Sequence, residues 1–283
     1  MAKIGQVNHL QVTRKDTNGV CLDGGDLGEI ILLSRFLPND CKIGDIVKVF
    51  IYLDSRERLT ATTQQVKAQV GDVAHLKVVQ VNNVGAFLDW GIAKDLLVPF
   101  NQQQIKMQVG ESYLVYVYID PETNRIVASS KLNRFIHQNS NSYEKGQAVN
   151  LIISDKTDIG FSAVINNQHW GVLFFSDLVK PLKIGQKLKG YIKQIRADGK
   201  VNLSLEAIGY AKVDSLSLKI LKALHNNNGF IPLSDKSPAE LIHERFAVSK
   251  KSYKMTIGSL YKKRLITISR EGISLVEKSN KVK

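Results

Sequence analysis

The sequence predicts a mainly β chain, with three five-stranded barrels in tandem and an α/β module at the C-terminus. Three observations carry that prediction. Glycines recur at fixed offsets in three copies. The segments between them are rich in β-branched and aromatic residues and bounded by turn residues. From Ser215 the hydrophobic period changes from two to about 3.6, so the fold class changes with it.

The repeat is seen by taking Gly5, Gly71 and Gly146 as origins. Fourteen residues on lie Gly19, Gly85 and Gly160, and thirty-nine on lie Gly44, Gly110 and Gly185, each of the last three preceded by Ile or Val. The second copy shows the strands most plainly. Val73 to Val81 is a β-rich run, Gly85-Ala-Phe-Leu-Asp-Trp is short and extended, and Leu96-Leu-Val-Pro is an apolar edge ending at proline. Tyr113 to Asp120 is a long strand, Pro121-Glu-Thr-Asn a turn, and Arg125-Ile-Val-Ala-Ser-Ser the fifth strand. Five short antiparallel strands in about 65 residues, with glycines where a strand must bend round a corner, suit a closed barrel of the OB type. The expected domains are 1–65, 66–134 and 145–210, with the tract from Lys131 to Ser142 as the linker between the second and third.

The last domain is expected over 214–279. Leu218, Ile220, Leu221 and Leu224 form an apolar helical face that ends at Asn226-Asn-Asn-Gly. A second helix starts with Ser237 as N-cap, Pro238 at the first helical position and Glu240 completing a capping box, and runs to about Phe246. Ser249 caps a third helix from Lys250 to Arg264, and Leu265-Ile-Thr-Ile-Ser with Gly272-Ile-Ser-Leu-Val forms a hairpin. Three helices and a two-stranded wing are the winged helix-turn-helix order.

Charge narrows the function. The 283 residues carry 39 Lys+Arg against 26 Asp+Glu, a net +13. Such an excess points to polyanions: nucleic acid, ribosome or anionic membrane. By segment the net charge is 0 over 1–65, +1 over 66–134, +3 over 135–209 and +9 over 210–283, so most of the pull belongs to the last quarter. No apolar run approaches the roughly 20 residues that span a bilayer, and the N-terminus lacks a signal-peptide pattern, so a soluble cytoplasmic protein without membrane contact is expected. Cys21 and Cys41, with no C-x-x-C spacing, fit a reducing compartment. The six histidines neither pair at i, i+4 nor group with cysteines, and there is no nucleophile elbow, Walker loop or dinucleotide fingerprint. No catalysis, cofactor or metal is expected.

At this point the residues carry a resemblance. Gly-Ala-Phe-Leu at 85–88, Asp-Leu-Leu-Val-Pro at 95–99, Val-Gly-Glu at 109–111 and Asp-Pro-Glu-Thr-Asn-Arg-Ile at 120–126 resemble the RNA-binding repeat named after ribosomal protein S-one. The third copy matches through Gly171-Val-Leu-Phe-Phe-Ser-Asp-Leu and Asp198-Gly-Lys-Val-Asn-Leu-Ser-Leu, and the first through its glycines and Arg58-Leu-Thr-Ala-Thr. Three such barrels and a winged helix whose third helix reads Val-Ser-Lys-Lys-Ser-Tyr-Lys and then Ile-Gly-Ser-Leu-Tyr-Lys are similar to the bacterial conserved virulence factor B family. The resemblance implies a cytoplasmic, non-catalytic RNA-binding regulator of gene expression.

OB-type barrels bind single strands by offering aromatic faces to bases beside cations that follow the phosphates. At the stacking places usual in S-one repeats only Phe87 and Phe174 are aromatic, so no copy has a complete platform. Phe161 is expected in the core. Six residues after the third glycine, Phe50, Tyr116 and Tyr191 are aromatic in all three copies, with a parity that points out of the barrel; interdomain packing comes first and base stacking second. Arg125 beside the second barrel, Lys250, Lys251 and Lys254 at the start of the third helix, and Lys262, Lys263 and Arg264 at its end are the expected phosphate contacts, against a plain reading of the lysines as a solvated, dipole-matched helix face. Asp54 and Asp120 stand at equivalent turns as backbone caps. The leading expectation is single-stranded RNA bound with low sequence preference; the oligomeric state is left open by the sequence, a monomer being the default. The alternatives are duplex DNA held by the winged helix in transcriptional regulation, and a ribosome- or protein-associated scaffold.

Overall fold

A computed structural model describes residues 1–140, 142–178, 181–206 and 210–276. Eighteen strands and three α-helices are formed there. The first barrel is β1 (Val7–Asp16), β2 (Gly19–Asp23), β3 (Glu29–Leu33), β4 (Ile46–Leu53) and β5 (Leu59–Thr62). The second is β6 (Val73–Val81), β7 (Gly85–Asp89), β8 (Leu96–Pro99), β9 (Ser112–Ile119) and β10 (Ile126–Ser129), and the third is β11 (Ala148–Thr157), β12 (Gly160–Ile165), β13 (His169–Phe174), β14 (Lys187–Ile195) and β15 (Val201–Ser204). All three sheets close in one order, strand one pairing with two and four, three with two and five.

Closure corrects one expectation. The strands are not all antiparallel: the third and fifth of each barrel run parallel, through Ile31 and Thr60, Leu97 and Val127, and Gly171 and Val201. A five-stranded sheet with an odd number of strands cannot close on antiparallel pairs alone, and one parallel seam is the consequence.

The repeated glycines do two jobs. The outer ones make the turns into strands one and four, with φ of +95° at Gly71 and +92° at Gly110. Gly110 donates its N–H to Val78, and the equivalent Gly44 and Gly185 donate to Val12 and Ile153. In each barrel that acceptor precedes a β-bulge in strand one, which adds a residue and bends the strand round the barrel. At the middle glycine the limit is space: a Cβ on Gly85 would collide with the carbonyl oxygen of Val98 on the neighbouring strand.

Two compact units are formed, and each is described by itself. The first holds the first two barrels and the larger part of the third. Within it the barrels are joined by buried contacts. Phe50, 1% exposed, leaves the first barrel to enter the core of the second, edge-on to Trp90 at 5.3 Å. Tyr116 stacks on Phe135 at 4.5 Å, among Val73, Ile152 and Val164 of the two barrels it joins. The Asn166–Asn167 turn, both residues at positive φ, docks on the second barrel, where Asn167 accepts from the Val73 N–H at 3.1 Å and donates to Asp72 at 2.8 Å. The tract read as a linker is a packed strap, because Leu132 and Ile136 are buried and Phe135 covers Tyr116. A falling apolar content toward residue 142 hid those three anchors.

The second unit contains residues 143–148, 190–194 and 203–206 of the third barrel together with the winged helix. Its elements are α1 (Tyr210–Asn226), β16 (Phe230–Ile231), α2 (Ala239–Phe246), α3 (Lys250–Lys262), β17 (Ile266–Ile268) and β18 (Ile273–Leu275), and its sheet runs β16-β18-β17. The two-residue β16 was too short for a sequence pattern. Ile220 and Leu224 are buried as expected, but Leu218 is 70% exposed and Leu216 takes its place. Pro238, not Ser237, is the N-cap of α2, with no side-chain cap, because the Ser237 hydroxyl accepts from the Ser234 N–H instead. Ser249 caps α3 as expected, accepting from the Ser252 N–H at 3.2 Å. The expected limit of this domain at 279 lies outside the described residues. Among the described residues no helix is long and apolar enough to cross a membrane.

Candidate nucleic-acid interface

Nucleic acid is bound on OB barrels across strands two and three and the loops that flank them. The bulge in strand one sets which side chains reach that face, and the register makes the three barrels directly comparable. Arg14 pairs with Cys21, Gln80 with Phe87, and Asp155 with Ser162; the next strand adds Ile31, Leu97 and Val172. One backbone position therefore carries Cys21, Phe87 and Ser162 in turn.

In the first barrel the face is closed by its own side chains. Arg14 grips Glu29 through Nη2 at 2.8 Å and Nε at 3.2 Å. The guanidinium lowers the Glu29 carboxyl, which in turn raises Arg14. Beneath the pair Cys21 is buried, and burial pushes its thiol upward, the opposite of a reactive cysteine.

In the second barrel the face opens into a cleft of about 640 Å³ whose far wall is the first barrel. Phe87, Leu97 and Arg125 line one side, and Arg35, Tyr52 and the β4–β5 turn line the other. That turn is built by Asp54, which accepts the N–H groups of Arg56 at 2.8 Å and Arg58 at 3.0 Å and pairs with the Arg58 guanidinium. Burial works to raise Asp54, but these bonds carry it below the usual carboxylate range. The turn thereby presents Glu57, at φ +63°, to an ion pair with Arg125. Lys94 ties the walls together by donating to the carbonyls of Leu53 at 2.7 Å and Asp54 at 2.9 Å, and burial lowers its ammonium. Trp90 holds the Lys94 carbonyl through its indole N–H at 2.6 Å while packing against Phe50.

In the third barrel the corresponding face is a groove of about 380 Å³ against the strap. Asp155, Ser162 and Trp170 line it on the barrel side, and Gln104, Asn133 and Gln138 on the other. No lysine or arginine lines it.

Of the residues expected from sequence, Phe87 and Arg125 are thus brought together, half-buried and exposed respectively. Phe174 is half-buried opposite Gly160, at the end of β13. Phe161 is core, as expected, and meets the 40% exposed Phe175 edge-on. Tyr116 has one face covered by Phe135, which is the interdomain packing put first, and burial raises its phenol. Tyr191 is half-buried on β14. Lys250, Lys251 and Lys254 sit on the first turns of α3, where Lys250 reaches the Lys236 carbonyl at 3.4 Å and Lys254 lies 3.7 Å from Asp235. Lys262 ends the helix, with Lys263 as its cap and Arg264 beyond at φ +56°. Sequence reasoning missed Arg35, Glu57, Lys94 and Trp90, which lie on a different barrel from Phe87 or in the loop that docks there. Of that wall only Asp54 left a local signal, as a turn cap.

Comparison with known proteins agrees with this architecture. Residues 4–64 and 70–131 match the S1 domain, and residues 218–275 match the CvfB-like winged helix domain. The uncharacterized protein YitL of Bacillus subtilis is 29% identical over 91% of this chain and 89% of its own. Conserved virulence factor B of Staphylococcus saprophyticus is 24% identical over 97% of this chain and 95% of its own, and that of Staphylococcus aureus 25% over the same shares. A solved multidomain protein with nucleic acid binding domains from Streptococcus pneumoniae is 23% identical, covers 96% of this chain and 98% of its own, and has a TM-score of 0.39. The domain content is that typical of non-catalytic nucleic-acid-binding proteins. The chain thus carries two S1 domains in front and a CvfB-like winged helix domain behind, and along nearly its whole length it is similar to YitL and to the proteins called conserved virulence factor B.

Proposed function

We propose that the chain is a cytoplasmic single-stranded RNA-binding protein that regulates gene expression after transcription and has no catalytic activity of its own. The observation that carries this reading is the cleft of the second barrel, where an aromatic ring, Phe87, and a cation, Arg125, share the face on which OB barrels take single strands. Phe87 supplies stacking, Arg125 meets a phosphate, and Phe174 offers a second ring on the third barrel. The α3 cations Lys250, Lys251, Lys254, Lys262, Lys263 and Arg264 add charge contacts, while Tyr116 and Tyr191 hold barrel geometry. Weak sites in series reach useful affinity through effective concentration.

A second reading has the winged helix gripping duplex DNA through the start of α3, where Lys251 and Lys254 are exposed beside a well-formed N-cap. Anisotropy titrations of the full chain with matched single-stranded RNA and duplex DNA across a salt series separate the two. With three or four phosphates neutralised, log affinity for the single strand falls with log salt at a slope of roughly −2 to −3. Preference for the duplex, abolished by Lys251→Gln with Lys254→Gln and indifferent to Phe87→Leu, would overturn the RNA reading.

A further inference from the structure

The groove on the third barrel differs in kind from a phosphate site. It is lined by the amides of Gln104, Asn133 and Gln138, the Ser162 hydroxyl, the Trp170 ring and the Asp155 carboxylate, with no cation among them. A carboxylate without a cation repels a phosphate and accepts from a neutral donor. Among the described residues the Asp155 carboxylate makes no ion pair and accepts one hydrogen bond, from the adjacent Lys156 N–H at 2.8 Å. Across the groove Gln138 donates to Asn133 at 3.4 Å, the long end of the range, so both amides keep bonding capacity. The indole N–H of Trp170 is shielded and has no acceptor, a deficit of the kind a ligand or water repairs.

We propose that this groove takes one unpaired guanine base of the bound RNA, with the Asp155 carboxylate accepting from the guanine N1–H and N2–H groups. The inference rests on the single-stranded RNA reading above and adds a discriminating position to it. Unpaired bases are read in RNA by hydrogen bonds to their Watson–Crick edges. Guanine alone presents two adjacent donors there, matching the two oxygens of a carboxylate in a charge-assisted pair. Adenine and cytosine offer one amino group beside an acceptor, and uracil flanks its single N–H with carbonyls that a carboxylate repels. The guanine O6 is an acceptor that the N–H groups of the groove amides can meet. The equivalent place on the second barrel holds Gln80 beside Phe87 where the third has Asp155, so the preference belongs to the third barrel.

The test uses the full chain and twelve-nucleotide oligouridines carrying a central G, A or C in place of one U, read by anisotropy. The G strand binds about tenfold more tightly than the others, the discrimination of one good two-pronged contact. Asp155→Asn, isosteric and on an exposed residue, removes that preference without lowering oligouridine affinity, since it takes away a charge that repels phosphate; Gln138→Ala, on the opposite wall, reduces the preference severalfold. Equal binding of all four strands, or a G preference intact in Asp155→Asn, overturns the groove assignment while leaving RNA binding standing. Failure to bind any of the strands overturns the RNA reading itself.

Discussion

The second and third barrels share a backbone and a register, yet their equivalent faces have opposite chemistry. Gln80 and Phe87 on one stand where Asp155 and Ser162 stand on the other. The first makes an aromatic cleft with charges of both signs and the second an amide-lined groove with a single carboxylate and no cation. The first barrel shows a third outcome, because Arg14 and Glu29 satisfy each other over a buried Cys21. A closed five-stranded frame therefore fixes where side chains emerge, and the few residues at those exits decide between stacking, base reading and closure. The packing between barrels matters as much, since each open face has its far wall supplied by the neighbouring barrel or the strap.

That comparison can be broken or sharpened by substitution. The largest effect is expected from Phe50→Ala, which removes a ring buried between the first two barrels. It should lower stability by about 3–5 kcal/mol in urea unfolding, and under native conditions it should abolish the contribution of Phe87 to RNA affinity while sparing any preference set by the third barrel. Equal loss at both sites would show that the two faces are not independent.

Next comes Phe87→Leu, which keeps the apolar volume and loses the stacking surface. Base stacking on an aromatic is worth about 1–3 kcal/mol, so RNA affinity measured by anisotropy should fall by roughly tenfold for every sequence alike. A loss confined to one base would mean that the cleft, too, reads sequence.

The smallest effect is expected from Glu57→Gln. Freeing Arg125 from its carboxylate partner should raise RNA affinity a few-fold at low salt, and the log–log salt slope should steepen by about 0.7 if one more phosphate is then met. An unchanged slope would remove Arg125 from the phosphate contacts and leave it as a bolt between barrels.

Much of this fold was legible because its signals are local. A glycine that must turn, or that must admit a neighbouring backbone, is visible at its own position, and three copies at the same offsets made the barrels plain. The outward parity of Phe50 and Tyr116 was likewise readable from their own strands. What escaped depended on distant partners. Leu132, Phe135 and Ile136 look like a sparse linker until Tyr116 and the third barrel cover them. Ser237 has every mark of an N-cap until the Ser234 N–H takes its hydroxyl. Arg14 and Glu29 are ordinary exposed charges 15 residues apart until strand pairing sets them face to face.

The sequence by itself determined the number of barrels, the change to a winged helix and the concentration of positive charge at the end of the chain. Those follow from periodicity, turn chemistry and charge, which act over a few residues. Only the tertiary structure decided which barrel faces are open, since that depends on groups from separate domains meeting across a cleft: Glu57 with Arg125, Lys94 with the β4–β5 turn, and the strap with the groove. Such meetings are set by how whole barrels pack, and no window of sequence contains both partners.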